Sequence, residues 1–348
     1  MQPRAAHRTP QDAGWKAAFL LALCAATLSA VVLAVVLNRD PDPAESVAPV
    51  STEAPAARAT ATISPADTPT AAPTKRPTPR RPTATVAPVQ PFGRSVTLVE
   101  DKELREAIED VLGDDRKDDF SVVVVRPSDG RAALVDGERE FYAASLFKLA
   151  ILYEAGLRLS RGEITLDDYL EISEEDLEQD LGTLEYQERD EDGNLTLRNA
   201  LEAMVTVSDN STAVALLHLF GSHNVDQTLR DLGIEATSVN TKELPTTARD
   251  MARIMDAIVA GEGLDPASHE LLLGMLSRQT VRSGIPRGLP GDVQSGNKTG
   301  TWEDITHDVA YVEAATGTYI IAVLSATDRD WDAIAEVSEA VYELMAAR

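Results

Sequence analysis

Ser145-Leu146-Phe147-Lys148-Leu149-Ala150-Ile151-Leu152-Tyr153-Glu154-Ala155 is a nearly unbroken apolar run that contains one lysine. Apolar residues all round a helix mark it as buried. Ser145 and Lys148 are three apart, so on a helix they share one face. Lys148 has Leu152 rather than an acid at i+4, so its own helix gives its charge no partner. A lysine in such a place gives up its proton readily. A serine hydroxyl needs a base within hydrogen-bond reach before it becomes a useful nucleophile. At a helix start it also has free backbone N–H groups nearby, which suit a developing oxyanion. Taken alone, the segment fits equally a core helix with an N-cap serine.

Two further motifs follow along the chain. Ser208-Asp209-Asn210 lies between two helical patterns. The first is Thr196 to Val207, with Thr196 as its cap, and the second is Ser211 to Gly221, closed by glycine. The triplet is therefore a turn between helices, a reading that a plain Ser/Asp/Asn capping turn satisfies as well. Lys298-Thr299-Gly300-Thr301 ends a polar stretch and precedes a hairpin pattern, His307 to Glu313 and Thr318 to Ser325 around Ala314-Ala315-Thr316-Gly317. It is expected on a strand of a small antiparallel sheet. Gly300 there would let a substrate lie against the strand, and a solvated strand end is the plain alternative.

The three motifs in this order resemble the active-site set of class A β-lactamases and penicillin-binding proteins. The resemblance runs from about Asp119 to the C-terminus. It implies that Ser145 is the nucleophile and that Lys148 and Ser208 serve its acylation, Ser208 relaying a proton to the leaving nitrogen. It implies that Asn210 holds Lys148 and a substrate side-chain amide, with Asp209 structural. The N–H groups of Ser145 and Thr301 would form the oxyanion hole, and Lys298, Thr299 and the Thr301 hydroxyl would meet the substrate carboxylate. The substrate would be a β-lactam or a cell-wall peptide. No cofactor or metal is implied, and the five histidines (His7, His218, His223, His269, His307) match no zinc spacing.

The chain departs from the class A pattern in one place. Class A enzymes carry a glutamate in an E-x-x-L-N pattern, which activates the deacylating water. Here Gly233 to Asp250 is short and holds no such pattern, and its glutamates, Glu235 and Glu243, read as solvated charges. Acylation is expected to survive this loss, and fast hydrolysis is left without its base. Three functions stay open: a β-lactam hydrolase, a D,D-peptidase or esterase acting on wall peptides, and a module that is acylated by penicillin without turnover. Intact Ser145, Lys148 and Lys298 count against a catalytically dead domain.

Residues 17–37 hold 21 residues without a charge, long enough to span a bilayer and long for a cleaved signal peptide. Arg4, Arg8 and Lys16 precede them, which orients residues 1–16 to the cytoplasm and the rest outside. The expected location is the cell membrane, single-pass, with the catalytic domain extracytoplasmic. Residues 38–97 are rich in Pro, Thr and Ala, and twelve of the nineteen prolines fall there. Such sequence buries no core and forms a disordered, extended spacer, with a reach of roughly 150 Å. The single cysteine, Cys24, leaves the outer region without a disulfide, and about 250 residues can build a sufficient core without one. Residues 1–97 carry ten Lys/Arg and six Asp/Glu, so of the net −25 the remainder carries −29. That excess excludes nucleic acid as a partner, and a monomer is expected.

Within residues 98–348 the pattern gives a helix from Lys102 to Leu112 and strands at Phe120–Arg126 and Arg131–Asp136. Helices follow through Ala260, strands return from about Lys298 to Ser325, and a helix runs from Trp331 to Ala347. The expected fold is α/β: an antiparallel sheet flanked by terminal helices, with an all-α insertion lobe, as the class A resemblance implies. The site is expected at the junction of the two lobes.

Overall fold

Phe120-Ser-Val-Val-Val-Val-Arg126 and Gly317-Thr-Tyr-Ile-Ile-Ala-Val-Leu-Ser325 are apolar at consecutive positions, the signature of strands covered on both faces. The computed structural model, which describes residues 98–180, 182–184 and 187–347, places these two strands side by side as β2 and β10 in the middle of a six-stranded sheet. The sheet order is β1 (Val99–Glu100), β3 (Arg131–Val135), β2, β10, β9 (Ile305–Ala314) and β8 (Ser295–Trp302). Successive side chains alternate between two cores. Val122, Val124, Tyr319, Ile321 and Val323 pack on one face against α1 (Lys102–Arg116) and α9 (Trp331–Ala346), the terminal helices. Val123, Ile320, Ala322 and Leu324 face the helical lobe.

That lobe is built around α2 (Lys148–Ser160), whose residues Lys148 to Leu157 are all buried, as an apolar run without a polar stripe requires. Around it lie α3 (Glu174–Leu177), α4 (Leu197–Thr206), α5 (Asn210–Phe220), α6 (Ser222–Asp231), α7 (Ala248–Ala260) and α8 (Pro266–Ser277). Thr196, Asp209, Thr247 and Asp265 cap α4, α5, α7 and α8 by accepting a backbone N–H two or three residues inside each helix.

Three expectations need correction. The sheet is mixed rather than antiparallel, because β1 pairs in parallel with β3; a two-residue strand carries no alternation to read. The insertion lobe is not all-α. It holds two short ladders, β4 (Phe141–Tyr142) with β7 (Pro245–Thr246) and β5 (Tyr169–Leu170) with β6 (Leu195–Thr196), again too short for a period. The helices also continue past Ala260 to Ser277, although Asp265-Pro266 is a helix-start signal. The expected tail (1–16), membrane segment (17–37) and linker (38–97) lie outside the described residues, and no helix among the described residues is long and apolar enough to cross a membrane.

β8 is the edge strand, and the turn that carries Ser145 packs against it. The free strand edge and the start of α2 therefore meet at the boundary between the sheet and the helical lobe.

Candidate active site

Ser145 sits in a single 3-10 turn, Ala144–Phe147, between β4 and α2. Ala144 takes a left-handed backbone conformation (φ 45°), as does Ser208 (φ 60°). Each of these non-glycine residues carries strain of order 1–3 kcal/mol, held by the packing around it. The turn is pressed onto β8 at Gly300. A Cβ there would lie 3.0 Å from the Ala143 carbonyl oxygen and 3.1 Å from Leu146 Cγ, so the close approach requires glycine.

The expected residues converge. Lys148 Nζ lies 3.1 Å from Ser145 Oγ and 3.2 Å from Ser208 Oγ, and it donates to the Ser208 carbonyl at 2.6 Å and to Asn210 Oδ1 at 2.7 Å. Lys298 Nζ donates to Ser208 Oγ at 2.9 Å and to the Thr299 carbonyl at 2.8 Å. Ser208 thus bridges the two lysines. Thr299 is buried and Thr301 exposed on the same strand.

Both lysines are fully buried. Desolvation holds Lys148 well below its usual value, and the Lys298 cation pushes the same way, with Asp209 opposing. Lys298 is lowered by burial to about 7, with Asp308 opposing. Burial and the neighbouring Lys298 cation both favour the neutral form of Lys148. A neutral amine has two N–H groups and one lone pair. The Ser208 carbonyl and Asn210 Oδ1 can only accept, so they take the two N–H groups. The lone pair is left for the Ser145 hydroxyl, which is the arrangement a general base needs.

Asp209 caps α5. Its Oδ1 accepts the Thr212 N–H at 2.7 Å and the Thr212 hydroxyl at 2.8 Å, and its Oδ2 accepts the Thr183 hydroxyl. Asp308 lies on the far face of β9, where Oδ2 accepts the Ile285 N–H at 2.8 Å and Oδ1 accepts Asn297 Nδ2 at 2.9 Å. Burial pushes its carboxyl up to about 7, against those two donors and Lys298. Glu235 and Glu243 are both exposed, as expected. No cluster of three or more His, Cys, Asp or Glu residues suited to a metal occurs among the described residues.

Two features have no counterpart in the motifs. The short segment before α7 runs beside the nucleophile turn: β7 pairs with β4, and the Leu244 carbonyl accepts the Ala143 N–H at 2.8 Å. His307 is buried and bonds to the Tyr142 carbonyl. The sequence offered only one signal for either, the place of His307 at the start of the hairpin pattern.

Solved structures share this architecture. PBP-A aligns at 25% identity over 72% of this chain and 98% of its own, with a TM-score of 0.65. A mutant of PBP-A in acyl-enzyme complex with penicillin G aligns equally well. An ancestral class A β-lactamase aligns at 27% identity over 69% of this chain and 99% of its own, with a TM-score of 0.62. No curated relative matches by sequence. The family model described as the β-lactamase enzyme family matches residues 103–345. With that match over most of its length and the serine, two lysines and second serine brought together as described, the chain belongs to the β-lactamase enzyme family.

Proposed function

We propose that the protein is a membrane-anchored, extracytoplasmic serine hydrolase that β-lactams acylate at Ser145 and that deacylates slowly. The observation that carries this reading is the 3.1 Å approach of Lys148, buried where its charge is disfavoured, to Ser145 Oγ. Ser145 Oγ attacks the lactam carbonyl carbon as its proton passes to Lys148, and the Ser145 and Thr301 N–H groups meet the oxyanion. The C–N bond then breaks as Ser208 hands its proton to the leaving nitrogen and takes up, across 3.2 Å, the proton that Lys148 received from Ser145, while the Lys298 cation lies 2.9 Å from its oxygen. Lys298, Thr299 and the Thr301 hydroxyl bind the substrate carboxylate. Anchoring follows from the charge-free run 17–37, and the Pro-rich residues 38–97 act as a spacer.

A second reading, a penicillin-binding D,D-peptidase or esterase on wall peptides, is favoured by a specific observation. The segment beside the nucleophile turn contributes Leu244, and its nearest acid, Glu243, is exposed.

The test is incubation with a fluorescent penicillin, with the label followed by mass spectrometry over hours. One label on Ser145, absent in Ser145→Ala while that variant keeps its fold, is the expected result. Transient label points to a β-lactamase and persistent label to a penicillin-binding protein. Label at full rate in Ser145→Ala removes the assignment.

A further inference from the structure

His307 takes no part in the proton transfers above, yet it is fully buried beside them. It lies on β9 opposite Gly300 in the β8–β9 register. Both ring nitrogens are used. Nδ1 accepts the Ser325 N–H at 3.1 Å, and Nε2 meets the Tyr142 carbonyl oxygen at 3.0 Å. A nitrogen that accepts an amide N–H carries no proton, so the proton is on Nε2, which donates to Tyr142. The ring edge also packs on Phe141, with centroids 5.5 Å apart and planes at 86°. One side chain therefore ties three elements together: β10, β9 and β4.

The location of the tie gives it a consequence. Tyr142 is three residues before Ser145, and Gly300 is one residue before Thr301. The Nε2–H bond fixes the nucleophile turn to the strand neighbouring β8, while bare Gly300 lets the backbone of Ala143 and Leu146 close in. An apolar residue of similar size would fill the space but leave the Tyr142 carbonyl and the Ser325 N–H unpaired. We propose that His307 is a positioning residue that sets the gap between the Ser145 turn and β8, and with it the fit of an acyl carbonyl between the Ser145 and Thr301 N–H groups. This rests on the acyl-enzyme reading above.

The test uses the full chain and two polar substitutions. A glutamine amide nitrogen reaches the ε position and keeps the bond to Tyr142. An asparagine oxygen reaches only the δ position and keeps the bond to Ser325. Wild type, His307→Gln and His307→Asn, each first checked for native circular dichroism, are acylated with benzylpenicillin labelled with ¹³C at the lactam carbonyl. The acylation rate and the infrared frequency of the acyl carbonyl are then measured. A carbonyl well seated between two N–H donors absorbs at lower frequency. The expected result is a near-wild-type rate and band for His307→Gln. For His307→Asn the expected result is a band moved to higher frequency and acylation slower by roughly 10- to 100-fold, approaching the loss seen when an oxyanion donor is removed. Wild-type rate and band in both variants, or equal impairment in both, overturns the proposal. A wild-type protein that takes no acyl group removes the acyl-enzyme reading and this inference together.

Discussion

The carbonyl of Leu244 accepts the N–H of Ala143 at 2.8 Å, which joins the segment before α7 to the turn that carries Ser145. Backbone of the short segment before α7 thus braces the nucleophile turn. Leu244 itself packs against the core of the helical lobe.

The proposed reaction is expected to leave a long-lived acyl-enzyme. Steady-state hydrolysis of benzylpenicillin is expected well below the enzyme median of about 10 s⁻¹. Because Glu243 is exposed, Glu243→Gln should leave the deacylation rate unchanged. Rapid turnover in both proteins would require another base, and rapid turnover lost only in the variant would show that Glu243 supplies it.

In the proposed acylation Lys148 and Ser208 share one proton path, with Nζ and Oγ 3.2 Å apart. Lys148→Ala and Ser208→Ala are each expected to slow acylation by roughly 10²-fold or more. The double variant should be little slower than the worse single one. Losses that multiply would mean separate roles, a point that stopped-flow measurement of acylation decides.

Lys298 gives a pH dependence with a definite sign. Burial lowers its pKa to about 7, so the cation is present below that pH and lost above it. A bound substrate carboxylate favours the cation. The loss therefore falls on the dissociation constant of the non-covalent complex, read from the concentration dependence of acylation, which should rise from pH 6 to pH 9, and not on the acylation rate from the bound complex. Lys298→Ala should flatten this rise. It should also weaken binding by about 2 kcal/mol, the scale of a hydrogen bond to a charged group. Acylation from the bound complex should instead increase with pH along its acid limb, as Lys148 sheds its proton.

Gly300→Ala should separate activity from stability. Its Cβ would meet the Ala143 carbonyl oxygen at 3.0 Å and Leu146 N at 3.3 Å, both backbone atoms of the nucleophile segment. Yielding a few tenths of an ångström is cheap for the fold and expensive for the chemistry. The expected outcome is acylation slower by roughly 10- to 100-fold, with thermal unfolding shifted by only a few degrees. An unchanged acylation rate would show that the turn tolerates the wider gap.

The parts of this molecule that repeat a period were readable from its sequence. The helix expected from Lys102 to Leu112 is regular up to that point, and Gly113 then turns left-handed. The hairpin strands expected at His307–Glu313 and Thr318–Ser325 extend only slightly further, to Ile305–Ala314 and Gly317–Ser325. Ser145, Lys148, Ser208, Asn210 and Lys298 were identifiable because each sits in a short local motif. Leu244, His307 and the ladder of β4 with β7 were not. Their roles come from pairing with residues distant in the chain, and a two-residue strand or a lone histidine leaves no local trace of its partner. In the sequence His307 is only the first residue of a hairpin strand and matches no zinc spacing, whereas the structure buries it and bonds its ring to β4 and β10.

The ladder between β4 and β7 and the bond from His307 to Tyr142 also bear on how the protein acquires its activity. The partners of the latter bond are 165 residues apart in sequence, and Lys298 meets Ser208 across 90. Contacts that close such long loops form late relative to local helices. The nucleophile turn is therefore completed only after the sheet and the helical lobe have joined. During refolding from denaturant, the capacity to take up penicillin should return after the helical signal.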